Sequence, residues 1–281
     1  MAAADSGIFS RKACVVVTGA SRGLGKSVAK IFATKFPESS LFILLARNLT
    51  DLEAVKAEIR ENMPTLKVAV KKFDQGNLDQ AIFDSLFDTV FEEYGVSPND
   101  FEQSVIVHNA GTLGDNTKYA SQLSDVATVQ RNFDVNVSGM ILLNSGFLRK
   151  FSNSSKGRLI VNLSSLVAVQ PVSSFSLYCT GKAARDMFFR VMAAEDPSIR
   201  VLNYAPGPCE TDMQKACRED TVDCTTRDMF QAMHREGNTL DCDTSIAKLV
   251  ELLRLDQYDS GAHIDFFDDI GGHVAKTSLN Q

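Results

Sequence analysis

No apolar run in this 281-residue chain is long. Runs such as Leu41–Ala46 stop far short of the roughly 18 residues that span a bilayer. A basic block is missing too. Lys and Arg number 29 against 35 Asp and Glu, a formal net charge of −6, which argues against a nucleic-acid backbone as partner. The six cysteines, at 14, 179, 209, 217, 224 and 242, form no C-x-x-C pair, and only His234 falls among the last four. Zinc spacing is therefore lacking, and free thiols in a reducing compartment are the expectation, with no metal. The opening residues carry Asp5, Arg11 and Lys12 without an apolar segment before a cleavage site, and Ser278–Gln281 hold no cysteine to prenylate. An unanchored cytoplasmic protein is expected.

Hydrophobic residues make up 44% and charged residues 23%, ordinary for a chain that buries a full core. Short apolar or β-branched runs alternate with longer helical patterns. Strands are expected at Ala13–Thr18, Leu41–Ala46, Lys67–Phe73, Ser104–Asn109, Arg158–Leu163, Arg200–Tyr204 and His263–Phe266. Helices are expected at Lys26–Phe36, Leu52–Asn62, Leu78–Tyr94, Val126–Lys150 and Tyr178–Ala194. Repeated β-then-α order implies an α/β fold: one Rossmann-like, doubly wound domain with a central parallel sheet of about seven strands and helices on both faces.

Between the first strand and the first helix stands Thr18-Gly19-Ala20-Ser21-Arg22-Gly23-Leu24-Gly25. Gly19 permits a tight turn, Gly23 lets a pyrophosphate approach the backbone, and Gly25 lets helix pack on strand. The helix start then offers free N–H groups to phosphates. The spacing is G-x-x-x-G-x-G, and with His108-Asn109-Ala110-Gly111 after the fourth strand the chain resembles the short-chain dehydrogenase/reductase family. His108 replaces the family's usual Asn, and a core histidine satisfied by backbone is the expectation there.

The resemblance implies a cofactor-binding domain over residues 12–267, flanked by an N-terminal segment, 1–11, and a C-terminal tail, 268–281. An NAD site usually has an acid at the end of the second strand; here the strand ends Ala46-Arg47-Asn48, with Asp51 close by. Arg47 and Arg22 favour the 2′-phosphate of NADP(H). The family pattern adds Ser21, Leu24, Asn48, Asp74, Gln75, Asn109, Thr211 and Met213 to the glycines as cofactor contacts.

Tyr178-Cys179-Thr180-Gly181-Lys182 places a tyrosine and a lysine on one helical face. A free tyrosine titrates near 10, and an ammonium beside it favours the phenolate, so Tyr178 can exchange a proton with a carbonyl oxygen. By the resemblance Ser165 orients that carbonyl, Lys182 also binds the ribose, and Asn136 holds a water that feeds protons to Lys182, a role that requires a kink in its helix. The Pro206-Gly207-Pro208 segment passes the nicotinamide, so Gly207 lies at the substrate.

A narrower resemblance, to pterin-reducing members of the family, rests on Leu177-Tyr178-Cys179, on Gly181 through Met187, on Arg200–Pro208 and on Ser260–Phe266. It implies that Asp265 anchors the pterin as a bidentate acceptor; the alternative is a cap on the last strand. Phe175 stands where that group often has Trp. Reduction of a pterin side-chain carbonyl with NADPH is the first functional expectation. A broader carbonyl reductase and a non-catalytic NADP-binding regulator are the alternatives. Apolar residues on two faces of the Val126–Lys150 and Tyr178–Ala194 helices, with the family pattern, imply a homodimer.

Overall fold

The computed structural model describes residues 7–153 and 156–269. Residues 1–6 of the N-terminal segment, and the expected tail from 270 onward, lie outside the described residues. Seven parallel strands form one sheet in the order β3-β2-β1-β4-β5-β6-β7. They are β1 Ala13–Thr18, β2 Leu41–Ala46, β3 Lys67–Lys72, β4 Gln103–His108, β5 Gly157–Leu163, β6 Ile199–Ala205 and β7 His263–Asp265.

Successive strand residues point to opposite faces, and each face has its own core. On one, Val15, Val17, Phe42 and Leu44 meet Phe32, Leu52 and Ile246 from helices α1 (Gly23–Ala33), α2 (Leu49–Asn62) and α9 (Cys242–Leu255). On the other, Val16, Ile43, Ile106 and Ile160 meet Phe83, Phe147 and Phe189 from α3 (Gln80–Tyr94), α5 (Gly139–Lys150) and α6 (Ser176–Glu195). The remaining helices are α4 (Val126–Phe133), α7 (Asp212–Glu219) and α8 (Cys224–Arg235). Asp79, Asp125, Asp223 and Asp241 accept backbone N–H bonds at the starts of α3, α4, α8 and α9, which satisfies donors the helices cannot pair internally. Among the described residues, no helix is long and apolar enough to cross a membrane.

Four of the five expected helices shift at one end or both, the fifth is interrupted, and two of these changes bear on the site. The first helix begins at Gly23 instead of Lys26, because the glycine loop itself runs into the first turn. The expected helix over Val126–Lys150 is interrupted by a π turn, Asp134–Ser138. There Asn136 turns its amide onto the backbone of Thr112, and Gly139 seats so closely on the carbonyl of Gln75 that a Cβ would collide with it. The kink therefore has a stated cause: a side-chain anchor on one side and a backbone approach on the other.

His108, at the end of β4, is fully buried against Phe189, with ring centroids 5.3 Å apart. Its partner is a side chain, Asn144 Oδ1 at 3.1 Å from Nε2, and not the backbone expected from the sequence. Burial, helped by the Arg185 charge and opposed by the Asn144 bond, pushes the imidazole down to about 3. The unfolded chain, titrating near 6.5, therefore takes the proton first. Stability from this group is present above about pH 6.5 and is lost as pH falls toward about 3. His108→Asn removes that loss. Its stability relative to wild type should rise by about 2 kcal/mol between pH 7 and pH 5, read from urea midpoints. Parallel pH curves for the two proteins would contradict the neutral buried histidine.

Candidate active site

All the strands run parallel, so their carboxyl ends gather at one edge, and the strand order reverses between β1 and β4. Thr18 and Asn109 join those two strand ends. Thr18 Oγ1 accepts the N–H groups of Asn109 and Ala110, both at 2.9 Å. Asn109 Nδ2 donates to Thr18 O at 2.9 Å and to Gly19 O at 3.1 Å. Gly19 and Gly23 have φ of +63° and +52°, which an L side chain rarely adopts. A Cβ on Gly25 would collide with Gly19 O, and one on Gly23 would come 3.2 Å from Thr211 Cγ2. Ser21 and Leu24 are half-buried in this loop. The first N–H groups of an α-helix have no partners within it, so the start of α1 in this glycine loop fits a phosphate group.

Several expected cofactor contacts are otherwise engaged. Arg22 is ion-paired with Asp212, both side chains about two-thirds exposed. Asn48 caps α2, accepting from Thr50 N and Asp51 N at 3.0 and 3.3 Å. Its Nδ2 also donates to Asp51 Oδ2 at 2.7 Å, so the one acid near the end of β2 is turned back onto its own helix. Arg47 is exposed there. Asp74 forms a two-pronged pair with Arg131, at 2.9 and 2.8 Å. Burial pushes that carboxyl up, but the bonds from Arg131 and Gly76 N–H and the Arg47 charge outweigh it and hold it below its usual range. Gln75 Nε2 donates to Val135 O at 2.6 Å in the π turn. Thr211 caps α7, and Met213 packs into an apolar cluster around Leu113, Phe175 and Cys217.

Tyr178 and Lys182 share a face of α6, with Lys182 Nζ 5.5 Å from the tyrosine ring centroid. Lys182 Nζ donates to Leu163 O at 2.6 Å, which ties the helix to the end of β5. Ser165, just beyond β5, accepts the Val167 N–H on its hydroxyl at 3.4 Å and faces Tyr178 closely enough to favour its phenolate. Its neighbour Ser164 is buried, with a hydroxyl that has no partner. Burial raises the Tyr178 phenol above its ordinary value, with a smaller push from Cys217, while Arg185 and Ser165 act in the opposite direction. Burial drives Lys182 itself well below its ordinary range, and Arg185 adds to that. Asn136 lies within reach, since a Cβ on Gly181 would be 3.1 Å from its Cβ. Both amide groups of Asn136 are engaged by Thr112, Oδ1 with N and Nδ2 with O, each at 2.9 Å. Those two bonds pin the Gly111–Thr112 turn.

Gly207 has φ of +74° and packs beside Leu240 and Phe266. Asp265, paired in register with Ala205, accepts the Phe267 N–H on Oδ1 at 3.0 Å, while its own N–H donates to Asp268 Oδ2 at 2.8 Å. One carboxylate oxygen therefore closes a turn, as the capping alternative requires. Phe175 stacks on Phe230 of α8 at 5.6 Å and 13°, and meets the Tyr178 ring edge-on at 6.5 Å. Arg185, Arg131, Thr18 and Phe230 shape the site without a signal of their own in the sequence. Arg185 and Thr18 lay inside stretches already singled out, but neither was assigned a role there.

A nucleotide-loop edge beside a Tyr–Lys–Ser group, with the lysine buried, defines a dehydrogenase or reductase of the dinucleotide-binding class. The profile of the short chain dehydrogenase family matches residues 13–222, and the chain belongs to that family. Among curated proteins it is 41% identical to sepiapterin reductase of Meriones unguiculatus over 266 residues, covering 94% of this chain and 100% of that protein. It is 40% identical to sepiapterin reductase of Rattus norvegicus over 257 residues, 91% of this chain and 97% of the rat protein. Among solved structures, the KRED1-Pglu enzyme superposes with a TM-score of 0.75 at 24% identity, over 90% of this chain and 100% of that one, which shows the shared fold.

Proposed function

We propose that this protein reduces the side-chain carbonyl of a pterin with NADPH, as a cytosolic homodimer. The observation that carries the reading is the identity of about two residues in five with sepiapterin reductases along nearly the whole chain, with Ser165, Tyr178 and Lys182 at one edge. NADPH, when bound, supplies the hydride. The glycine cradle would hold its pyrophosphate, Arg47 its 2′-phosphate, and Lys182 its ribose. The absence of a free acid at the end of β2, where Asn48 engages Asp51, supports the phosphorylated cofactor.

Ser165 orients the carbonyl oxygen toward Tyr178. The raised phenol keeps Tyr178 protonated at neutral pH, which is the form a proton donor needs. As the carbonyl carbon gains hydride, Tyr178 Oη gives its proton to the oxygen, and the alcohol forms. The phenolate left behind lies beside Lys182, whose Nζ is 5.5 Å from the ring centroid. The stacked Phe175 and Phe230 offer an apolar wall against which a flat bicyclic ring can lie. Asp265 stands at the end of β7, next to the Pro206–Pro208 segment, and its carboxylate would accept the ring's N–H donors.

Part of the apolar surface anticipated for a partner is used within the chain: Phe147, Phe151 and Phe189 are buried under α3 and the sheet. Met187 and Val191 remain about half exposed on α6, and they support packing against a second copy. Light scattering at micromolar concentration should give twice the chain mass, and a single chain's mass would refute the dimer.

Tyr178→Phe should bind NADPH normally yet lose at least about 100-fold in kcat, since positioned acid catalysis contributes roughly 10²–10⁴. Retention of a tenth of wild-type kcat would remove Tyr178 as the donor. Asp265→Ala separates the pterin reading from the broader one. Loss of two charge-assisted bonds should lower kcat/KM for sepiapterin at least about 10-fold, while a small diketone loses only a few-fold. Equal losses in a folded variant would make Asp265 a cap and favour a general carbonyl reductase.

A further inference from the structure

β7 is three residues long, lies at the edge of the sheet and pairs only with β6. Few ladder bonds hold so short a strand, yet it carries Asp265. Ile264 packs into the core under α1 and α9, so its neighbours His263 and Asp265 point to the opposite face, the side of α6. Two contacts tie that face to the helix. Gly261, with φ of +88°, leads into β7 so close to α6 that a Cβ there would come 3.1 Å from Ala193 Cβ and 3.4 Å from Arg190 Cα. One turn nearer the start of α6, Asp186 Oδ2 lies 2.6 Å from His263 Nδ1. A carboxylate accepts, so Nδ1 carries the hydrogen of this bond, which fixes the plane of the ring. His263 Nε2 is buried and has no hydrogen-bond partner among the described residues, so the bond to Asp186 decides where the imidazole sits.

Asp186 is buried and is held from its other oxygen as well. Oδ1 accepts Asn162 Nδ2 at 2.9 Å, and the same amide donates to Asn203 Oδ1 at 2.9 Å. Asn203 in turn donates its N–H to Ala262 O at 2.9 Å and its Nδ2 to Gly261 O at 3.0 Å. The ends of β5 and β6 and the entrance of β7 therefore close on one carboxylate of α6. Burying that carboxylate is costly, and an apolar pair of similar volume would hold the fold as well, so stability alone does not explain it. Its place along the helix does. The strand runs back along α6, with Gly261 by Arg190 and Ala193, then His263 by Asp186. At about 3.3 Å per strand residue and about 1.5 Å per helix residue, the next step to Asp265 matches about four residues of helix, so Asp265 comes level with Lys182, one turn from Tyr178.

We infer that Asp186 and His263 are positioning residues for the reduction: their bond fixes β7 against α6 and so sets the span between the ring anchor Asp265 and the proton donor Tyr178. The inference rests on the reading of Asp265 as the pterin anchor. It adds that the substrate is measured between a strand and a helix, and that a side-chain pair outside the pocket holds the two in register. A pterin gripped at both ends depends on that span, since a misplacement of about 1 Å can cost about 100-fold. A small diketone meets only the Ser165 and Tyr178 end and does not depend on it.

The bond can be broken, lengthened or replaced by substitution. His263→Leu breaks it, and His263→Leu with Asp186→Asn breaks it without leaving a buried carboxylate unpaired. His263→Gln keeps a donor but sets it further from the backbone, and His263→Asn keeps one near the Nδ1 position. The measurement is kcat and KM for sepiapterin and for a small diketone, in each variant with and without Asp265→Ala. In the Leu-containing and Gln variants kcat/KM for sepiapterin should fall at least about 10-fold, mostly in kcat, while that for the diketone changes by less than about three-fold. His263→Asn should restore sepiapterin turnover to within a few-fold of wild type. Asp265→Ala should add little to the loss in a variant without the bond, because both changes act through one contact. Circular-dichroism melts identify which variants are folded. Equal losses on the two substrates in a folded variant, or losses that multiply with that of Asp265→Ala, would overturn the positioning role. Equal losses on the two substrates in Asp265→Ala alone would overturn the pterin anchor and this inference with it, whereas a pterin-selective Asp265→Ala beside unselective His263 variants overturns this inference alone.

Discussion

Two side chains at the ends of β1 and β4 set the shape of everything above the sheet. Thr18 Oγ1 accepts both N–H groups that follow β4, and Asn109 Nδ2 donates to the carbonyls of Thr18, the last residue of β1, and of Gly19. The strands are neighbours in the ladder, but the ladder ends where the loops begin. These bonds carry the registration one residue further, into the glycine turn. A polar group left unpaired there would cost about 1–3 kcal/mol, so the loop has little freedom to open. From that fixed corner α1 departs with its N-terminus toward the cradle, and the Ala110–Thr112 turn runs on to meet Asn136 and Arg185.

The electrostatics of the site follow from its depth. A tyrosine, a lysine and an arginine occupy one side of α6, and burial works against the charged form of each. Only the guanidinium has a reference value high enough to remain charged regardless. Tyr178 is thereby left protonated and Lys182 moved toward its neutral form, a resting state suited to giving a proton away. Asp186 supplies the compensating negative charge one residue further along the helix, held by Asn162 and facing His263.

Much of the fold was legible from local pattern. β1 and β2 are continuous apolar runs, and their bounds are those expected, because a strand covered on both faces has no polar residue to blur its ends. The glycine loop and the Tyr178–Lys182 pair were legible because their function depends on spacing within one turn or one helix. What the sequence hid depends on residues far apart in the chain. Arg22 meets Asp212, Asp74 meets Arg131, and Arg185 meets the carbonyls of His108 and Ala110; none of these pairings has a short-range signature. His108 shows the same limit: its burial was expected, but the choice of Asn144 over a backbone partner depends on how α5 packs on β4. The π turn lay between, since a kink was expected at Asn136 and its cause, the seat of Gly139 on Gln75, was not.

The central claim is that this edge of the sheet reduces a pterin carbonyl at the expense of NADPH. The most direct measurement is NADPH absorbance in a stirred mixture of the purified wild-type protein with sepiapterin, run beside NADH and beside a small diketone. The account predicts steady loss of absorbance with sepiapterin, faster with NADPH than with NADH at equal concentration, and a lower kcat/KM for the diketone. Consumption of NADPH with the diketone and none with sepiapterin would contradict it.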